Sequence, residues 1–313
     1  MTIATFALMS TVKQYLSLIK FSHTIFALPF ALIGFFLGLL HCHYGDISYA
    51  LTQSDRISIT SLFGSKEVIL FLLVLSCMVT ARTAAMAFNR YLDRDIDALN
   101  PRTAIREIPR GVIKPGNALM FTVFNALLFI VLSGCINSLC FYLSPVALLV
   151  ILGYSYTKRF TSLCHLVLGL GLSLAPIGAF IAVTGKFAWL PVLFSLSVIC
   201  WVSGFDIIYS LQDEEFDRSQ SLYSIPTGLG KEKALFVSRI LHFLSASFIM
   251  AAGLLVPFSW IYWLGVVGFC GMLCYQHRLV KPYDLSRVNL AFMTANGIAS
   301  VAFAFFVITD LFI

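Results

Sequence analysis

Long apolar runs recur along this chain, each closed by a short polar segment. A bilayer-spanning helix needs about 20 mostly apolar residues. Nine stretches satisfy that requirement: 16–40, 67–92, 117–135, 138–156, 163–183, 188–210, 235–255, 257–276 and 288–312. The fourth and eighth follow their predecessors after very short turns. The pattern predicts an all-α, polytopic membrane protein whose single domain covers residues 1–313.

Composition agrees with the pattern. Of 313 residues, 59% are hydrophobic and 12% charged, about half the roughly 25% charged that soluble domains carry. Mean hydropathy is +0.90. None of the eight cysteines forms a CxxC pair, and most fall inside apolar runs as small hydrophobes. His41 and His43 flank Cys42 without a second ligand cluster at metal-site spacing. The first basic residue is Lys13 and no small-residue cleavage site follows a positive region, so the N-terminus does not read as a cleaved signal.

Charge then orients the spans. The loop after the second span holds Arg94, Arg102, Arg106, Arg110 and Lys114, and the loop after the fourth holds Lys158 and Arg159. The loop after the sixth holds Arg218, Lys231 and Lys233, with Arg239 just beyond, and the loop after the eighth holds Arg278, Lys281 and Arg287. Lys13 and Lys20 flank the first span. The opposite face has only Arg56, Lys66 and Lys186. The crowded side is the cytoplasm by the positive-inside rule, with the N-terminus inside and the C-terminus on the far side of the membrane. The net charge of +6 therefore belongs to a membrane face and gives no reason to expect nucleic acid.

Two acidic clusters end spans on that face. In "NRYLDRDID", Asn89, Asp93 and Asp97 stand at i, i+4 and i+8, which on a helix is one face; Asp95 points elsewhere, into solvent. In "DIIYSLQDEEFD", Asp213 and Asp217 repeat the i, i+4 step, Asp206 sits two turns earlier, and Tyr209 takes the place of the amide. The matched positions suggest two pseudo-repeated four-helix halves plus one helix. Carboxylates are mildly disfavoured at helix C-termini, so two matched clusters point to chemistry. Rows of oxygen ligands suit Mg²⁺, which shares its octahedron among carboxylates, water and substrate phosphates. Nearby arginines and lysines add neutralising charge for a diphosphate. An apolar bundle open to membrane lipid accepts the hydrocarbon tail. The substrate class is a polyprenyl diphosphate.

These motifs resemble those of the UbiA superfamily of intramembrane aromatic prenyltransferases. "NRYLDRDID" is similar to its first acidic motif, "DIIYSLQDEEFD" to its second, and "YSYTKRFT" (154–161) to its Y-x-x-x-K-R loop element. "KFSHTIFALPFALIG" and "NPRTAIREIP" are similar to bacterial members that prenylate 4-hydroxybenzoate. The resemblance runs from about residue 13 to 235. It implies nine helices around a central cavity. It implies that Asn89, Asp93, Asp97, Asp213 and Asp217 hold Mg²⁺, and that Tyr154, Lys158, Arg102 and Arg159 contact the diphosphate. Asp93 and Asp213 are then catalytic, Asp206 orients the acceptor or relays its proton, and Tyr209, Lys20 and His23 line the site.

Arg82 lies inside the second span, about two turns before Asn89. A cation at that depth is a functional hypothesis by default; it faces an acceptor's carboxylate, pairs with Asp206, or does both in turn. The acceptor is an aromatic carboxylic acid, 4-hydroxybenzoate for a ubiquinone route or a naphthoate-type acid for a menaquinone route. An ion-coupled transporter is the rival from another class, but the acids lie at one mouth instead of the midplane.

Overall fold

A computed structural model of the chain describes residues 13–19, 26–53 and 58–313. Among them the structure is helical and strandless, with one isolated bridge between Lys281 and Asp284. The principal helices are α1 (Leu28–Tyr44), α2 (Ser65–Leu92), α3 (Pro115–Ile136), α4 (Ser138–Thr157), α5 (Cys164–Thr184), α6 (Trp189–Ser210), α7 (Lys231–Leu255), α8 (Trp260–Leu279) and α9 (Asn296–Phe312). Seven helical regions of the described chain, those of α2 to α7 and of α9 with its preceding turn, are long and apolar enough to cross a membrane. The chain is an all-α integral membrane protein. The α1 helix is apolar but only 17 residues long, and α8 ends in the polar run Gln276, His277 and Arg278.

Local sequence sets the ends. Pro29 and Pro115 open α1 and α3, where a missing N–H costs nothing. Gly45 (φ 78°) and Gly185 (φ 64°) close α1 and α5 in the left-handed conformation that glycine adopts freely. The very short turn between α3 and α4 is held by Asn137. Its Oδ1 accepts from the Cys140 N–H at 2.8 Å, while its Nδ2 donates to the carbonyls of Ile181 and Ala182 on α5. The turn before α8 is held by buried Asp310 of α9, which accepts from the backbone N–H groups of Ser259 and Tyr262 at 3.0 and 3.2 Å.

Three boundaries depart from the periodicity; the run expected at 16–40 gives α1 only over Leu28–Tyr44, opened by Pro29 and closed by Gly45. The seventh helix begins at Lys231 instead of 235, because its first polar turn is helical at the membrane face after Gly230. The ninth span opens with a π-helical turn, Leu290–Ala295, before α9. Buried Asn296 donates through Nδ2 to the carbonyls of Ala291 and Phe292, satisfying groups that the wider turn leaves over.

The enclosed centre is aromatic. Phe30 of α1, Trp201 of α6, Phe269 of α8 and Phe303 next to it on α9 are fully or almost fully buried and in mutual ring contact. Outward-facing side chains such as Phe124, Leu127, Val131, Val146 and Leu149 are apolar and exposed, as a lipid-facing surface requires. The helices α2 to α6 leave a hollow between them, and it carries the acidic motifs at one end.

Candidate functional site

The hollow has two chambers. The deeper one, about 390 Å³, is lined almost wholly by apolar side chains of α2 to α5, among them Met78, Phe129, Leu143 and Ile177. The outer one, about 300 Å³, is lined by the polar motifs. Arg82, Met86, Tyr154, Leu168 and Leu172 border both. An anionic head and a hydrocarbon tail of one substrate thus find opposite environments in one continuous space.

The first acidic motif is not one straight row. The α2 helix ends at Leu92, Asp93 has φ −89° and ψ 3°, and a short helix, Arg94–Leu99, follows. Each acid then meets a different cation. Asp93, almost fully buried, lies 3.1 Å from Lys158 Nζ and 2.9 Å from Arg159 Nη2. Asn89 donates through Nδ2 to Asp93 Oδ2 at 3.1 Å, which leaves its carbonyl oxygen for another partner. Asp97 receives Arg106 Nη1 on both oxygens, at 2.6 and 2.7 Å. Asp95 is exposed and pairs only with its neighbour Arg94.

The second motif is broken by a 3₁₀ turn, Leu211–Asp213, before the short helix Glu214–Ser219. Arg102 forms a two-pronged ion pair with Asp213, through Nη2 and, at 2.9 Å, through Nε. It also donates to the Tyr209 hydroxyl at 2.9 Å. Burial lowers the Arg102 pKa, and the hydrogen bond and charge of Asp213 more than reverse this, so the net direction is upward. The Asp217 carboxyl is pushed up to about 6, foremost by burial; Lys158 pulls against that shift and Asp213 adds to it.

Of the predicted residues, Arg82, Asn89, Asp93, Asp97, Arg102, Tyr154, Lys158, Asp206, Tyr209, Asp213 and Asp217 all line the outer chamber. Arg159 does not line it; it braces Asp93 and the Leu92 carbonyl from behind. Arg94 turns outward onto Tyr91. Lys20 and His23 lie outside the described residues. Asp206 takes His165 as its partner, Nδ1 to Oδ2 at 2.7 Å.

Three contributors, Arg90, Asn100 and His165, were passed over in the sequence. Arg90, buried at the end of α2, lines the chamber; at a helix end it reads as an ordinary membrane-face cation. Arg106, counted in the sequence only as a loop cation, orders the loop by its grip on Asp97. Asn100 donates to Asp213 Oδ1 at 3.2 Å and accepts from the Arg102 N–H at 3.0 Å. His165 stands inside the apolar run that opens α5, where spacing gives no hint of its partner.

The donor set is oxygen throughout: four carboxylates and an amide carbonyl. Among the described residues no three acidic or imidazole groups converge into a ready-made metal cage. Lys158, Arg159, Arg102 and Arg106 hold the acids apart in individual pairs. Such a set fits a hard divalent cation shared between carboxylates and a phosphate ligand.

These features fit the site of an intramembrane enzyme that handles an amphipathic diphosphate. The UbiA prenyltransferase family model matches residues 47–300, and the chain belongs to that family. A 4-hydroxybenzoate octaprenyltransferase of Nitrosospira multiformis is 30% identical over 227 residues, 72% of this chain and 78% of that protein. One from Tolumonas auensis is 28% identical over 235 residues, 75% and 82% of the two chains. The apo structure of a UbiA homologue from Aeropyrum pernix K1 has a TM-score of 0.70 at 27% identity and covers 91% of this chain and 95% of its own. A UbiA homologue from Archaeoglobus fulgidus, solved with DMAPP and Mg²⁺, shares the fold with a TM-score of 0.69 at 17% identity, over 95% and 99% of the two chains. The transporter alternative gives way to the family assignment.

Proposed function

We propose that this chain transfers a polyprenyl group from polyprenyl diphosphate to the ring of an aromatic carboxylic acid, foremost 4-hydroxybenzoate, in quinone biosynthesis. The observation that carries this is the junction of the chambers: a charged mouth opening, past Arg82 and Tyr154, into an apolar hollow. Relatives named 4-hydroxybenzoate octaprenyltransferase support the choice of acceptor.

Asn89, Asp93, Asp97, Asp213 and Asp217 would hold Mg²⁺. When bound, the metal supplies Lewis-acid neutralisation of charge on the departing diphosphate. Lys158 and Arg102 exchange their carboxylate partners for phosphate oxygens, so the site trades internal ion pairs for pairs with substrate. Arg159 and Arg106 stay on Asp93 and Asp97 and hold those side chains in place. Tyr209 and Asn100 keep Arg102 and Asp213 in register. The tail occupies the apolar chamber, where water cannot trap the allylic cation left by ionisation. Arg82, at the boundary, takes the acceptor's carboxylate and presents its ring to that cation.

The protein sits in the bacterial cytoplasmic membrane with nine spans, α1 and α8 included, its N-terminus and charged mouth in the cytoplasm. The loop basic residues support that orientation. The fold is two four-helix halves with α9 added.

The assay is purified protein in membranes with geranyl diphosphate, Mg²⁺ and two labelled acceptors side by side, 4-hydroxybenzoate and a dihydroxynaphthoate. Prenylated 4-hydroxybenzoate is the expected product. Prenylated naphthoate instead moves the enzyme to the menaquinone route, and no product from either overturns the reading.

A further inference from the structure

We propose that Asp206 is the base that takes the acceptor's ring proton, and that His165 is the positioning residue that orients it for that step. This rests on the aromatic acceptor above and on the proton role expected of Asp206, and goes beyond them by naming the residue that orients it for that step. The transfer requires one. The bond from the prenyl carbon to the diphosphate oxygen breaks, its electron pair leaving with the diphosphate. A ring carbon then bonds the allylic carbon. The ring C–H bond breaks, its pair restoring aromaticity, and the proton must go to a nearby acceptor.

The other acids of the two motifs are poorly placed for this, Asp217 because it lies on the short helix Glu214–Ser219, past the end of α6 and four residues beyond Asp213. Asp93, Asp97 and Asp213 are each tied to guanidinium or ammonium groups at the diphosphate end. Asp206 stands on α6 about two turns before Asp213, lines the same chamber and, among the described residues, has no Lys or Arg within ion-pair distance. Its side chain keeps 24% of its surface open, whereas His165 keeps 3%. His165 Nδ1 holds Asp206 Oδ2 at 2.7 Å, and the Ile225 N–H approaches the other ring nitrogen, Nε2, at 3.4 Å. A neutral imidazole with its proton on Nδ1 satisfies both contacts, donating to the carboxylate and accepting from the backbone. Asp206 then has one oxygen fixed and the other left for the chamber. This is the orienting logic of paired acid–base groups.

The imidazole is itself built in. Its backbone carbonyl accepts from Ser203 Oγ at 3.0 Å. One turn on, Gly169 lets α5 and α6 close so tightly that a Cβ there would lie 2.5 Å from Ser203 Oγ and the Ile199 carbonyl. Leu, Val and Ile dominate the start of α5, and a histidine buried among them is explained by its partner.

The test uses the full-length protein in membranes with geranyl diphosphate, Mg²⁺ and either ordinary or ring-deuterated 4-hydroxybenzoate. Asp206→Asn is expected to lower kcat about 100-fold or more, the scale of a lost general base, with KM for geranyl diphosphate within about twofold. His165→Leu is expected to lower kcat about tenfold or more and to raise a primary deuterium effect from near unity to above about 2, because proton loss then limits the rate. His165→Gln, which keeps an amide donor and guards against a folding failure, is expected to recover part of kcat and to bring the isotope effect back down. An isotope effect unchanged across the His165 variants overturns the proposal, as does wild-type kcat in Asp206→Asn. Wild-type protein that prenylates neither isotopologue overturns the acceptor assignment first, and the proton acceptor with it.

Discussion

At the residue scale, the acids and bases of the mouth neutralise one another. Arg102 holds Asp213 with two nitrogens, and Lys158 holds Asp93 at 3.1 Å. A substrate diphosphate must draw those cations to itself, so Arg102→Leu is expected to raise KM for geranyl diphosphate about tenfold or more, the loss of a charge-assisted fork, in steady-state assays. Asp93→Ala and Asp213→Ala are expected to abolish Mg²⁺-dependent transfer, and full activity in either would sink the metal-ligand assignment. The Asp97–Arg106 pair answers to a different measurement. Asp97 keeps 5% of its side-chain surface and Arg106 21%, so Arg106→Leu leaves a carboxylate buried without its counter-charge. The expected loss is roughly 3–5 kcal/mol, read by denaturant unfolding in detergent.

At the element scale, close helix crossings set where the site residues arrive. A Cβ on Gly34 of α1 would lie 2.0 Å from the Pro176 carbonyl of α5, and one on Gly169 of α5 would meet α6 at 2.5 Å. Both contacts involve backbone or a short, committed side chain, so neither neighbour yields easily. Gly34→Ala is expected to destabilise the bundle by about 1–3 kcal/mol through overpacking. Gly169→Ala acts nearer the chemistry, because it forces α5 from α6 one turn away from His165 and Asp206. A fall in kcat larger than its effect on melting temperature is expected; the reverse would remove the crossing from the catalytic account. The helices themselves were legible from apolar run length. Their breaks were not: Asp93 and Leu211–Asp213 interrupt faces that the i, i+4 spacing drew as straight. Spacing reports angle along an ideal helix, and here each acid is turned by the cation it meets.

At the scale of the whole molecule, the apolar chamber and charged mouth divide one hollow between α2 and α6. The one-sided basic loops predict that the mouth faces the cytoplasm. A fluorescent reporter at the C-terminus is expected to stay dark and a phosphatase reporter there to be active, since the nine spans proposed would place the two termini on opposite faces. The opposite result would remove one span or invert the protein. Run lengths, loop charges and two oxygen-rich motifs determined the membrane class, the expected orientation and the kind of head group to expect, because these depend on solvent partition and on ligand chemistry, which each segment carries by itself. Only the tertiary structure decided which cation meets which acid. It also decided that Asp206 belongs with His165, and that Asn100 and Arg106 hold the mouth in shape. Those pairings join residues up to 113 positions apart, and helix crossings, not spacing along the chain, bring such residues within hydrogen-bond reach.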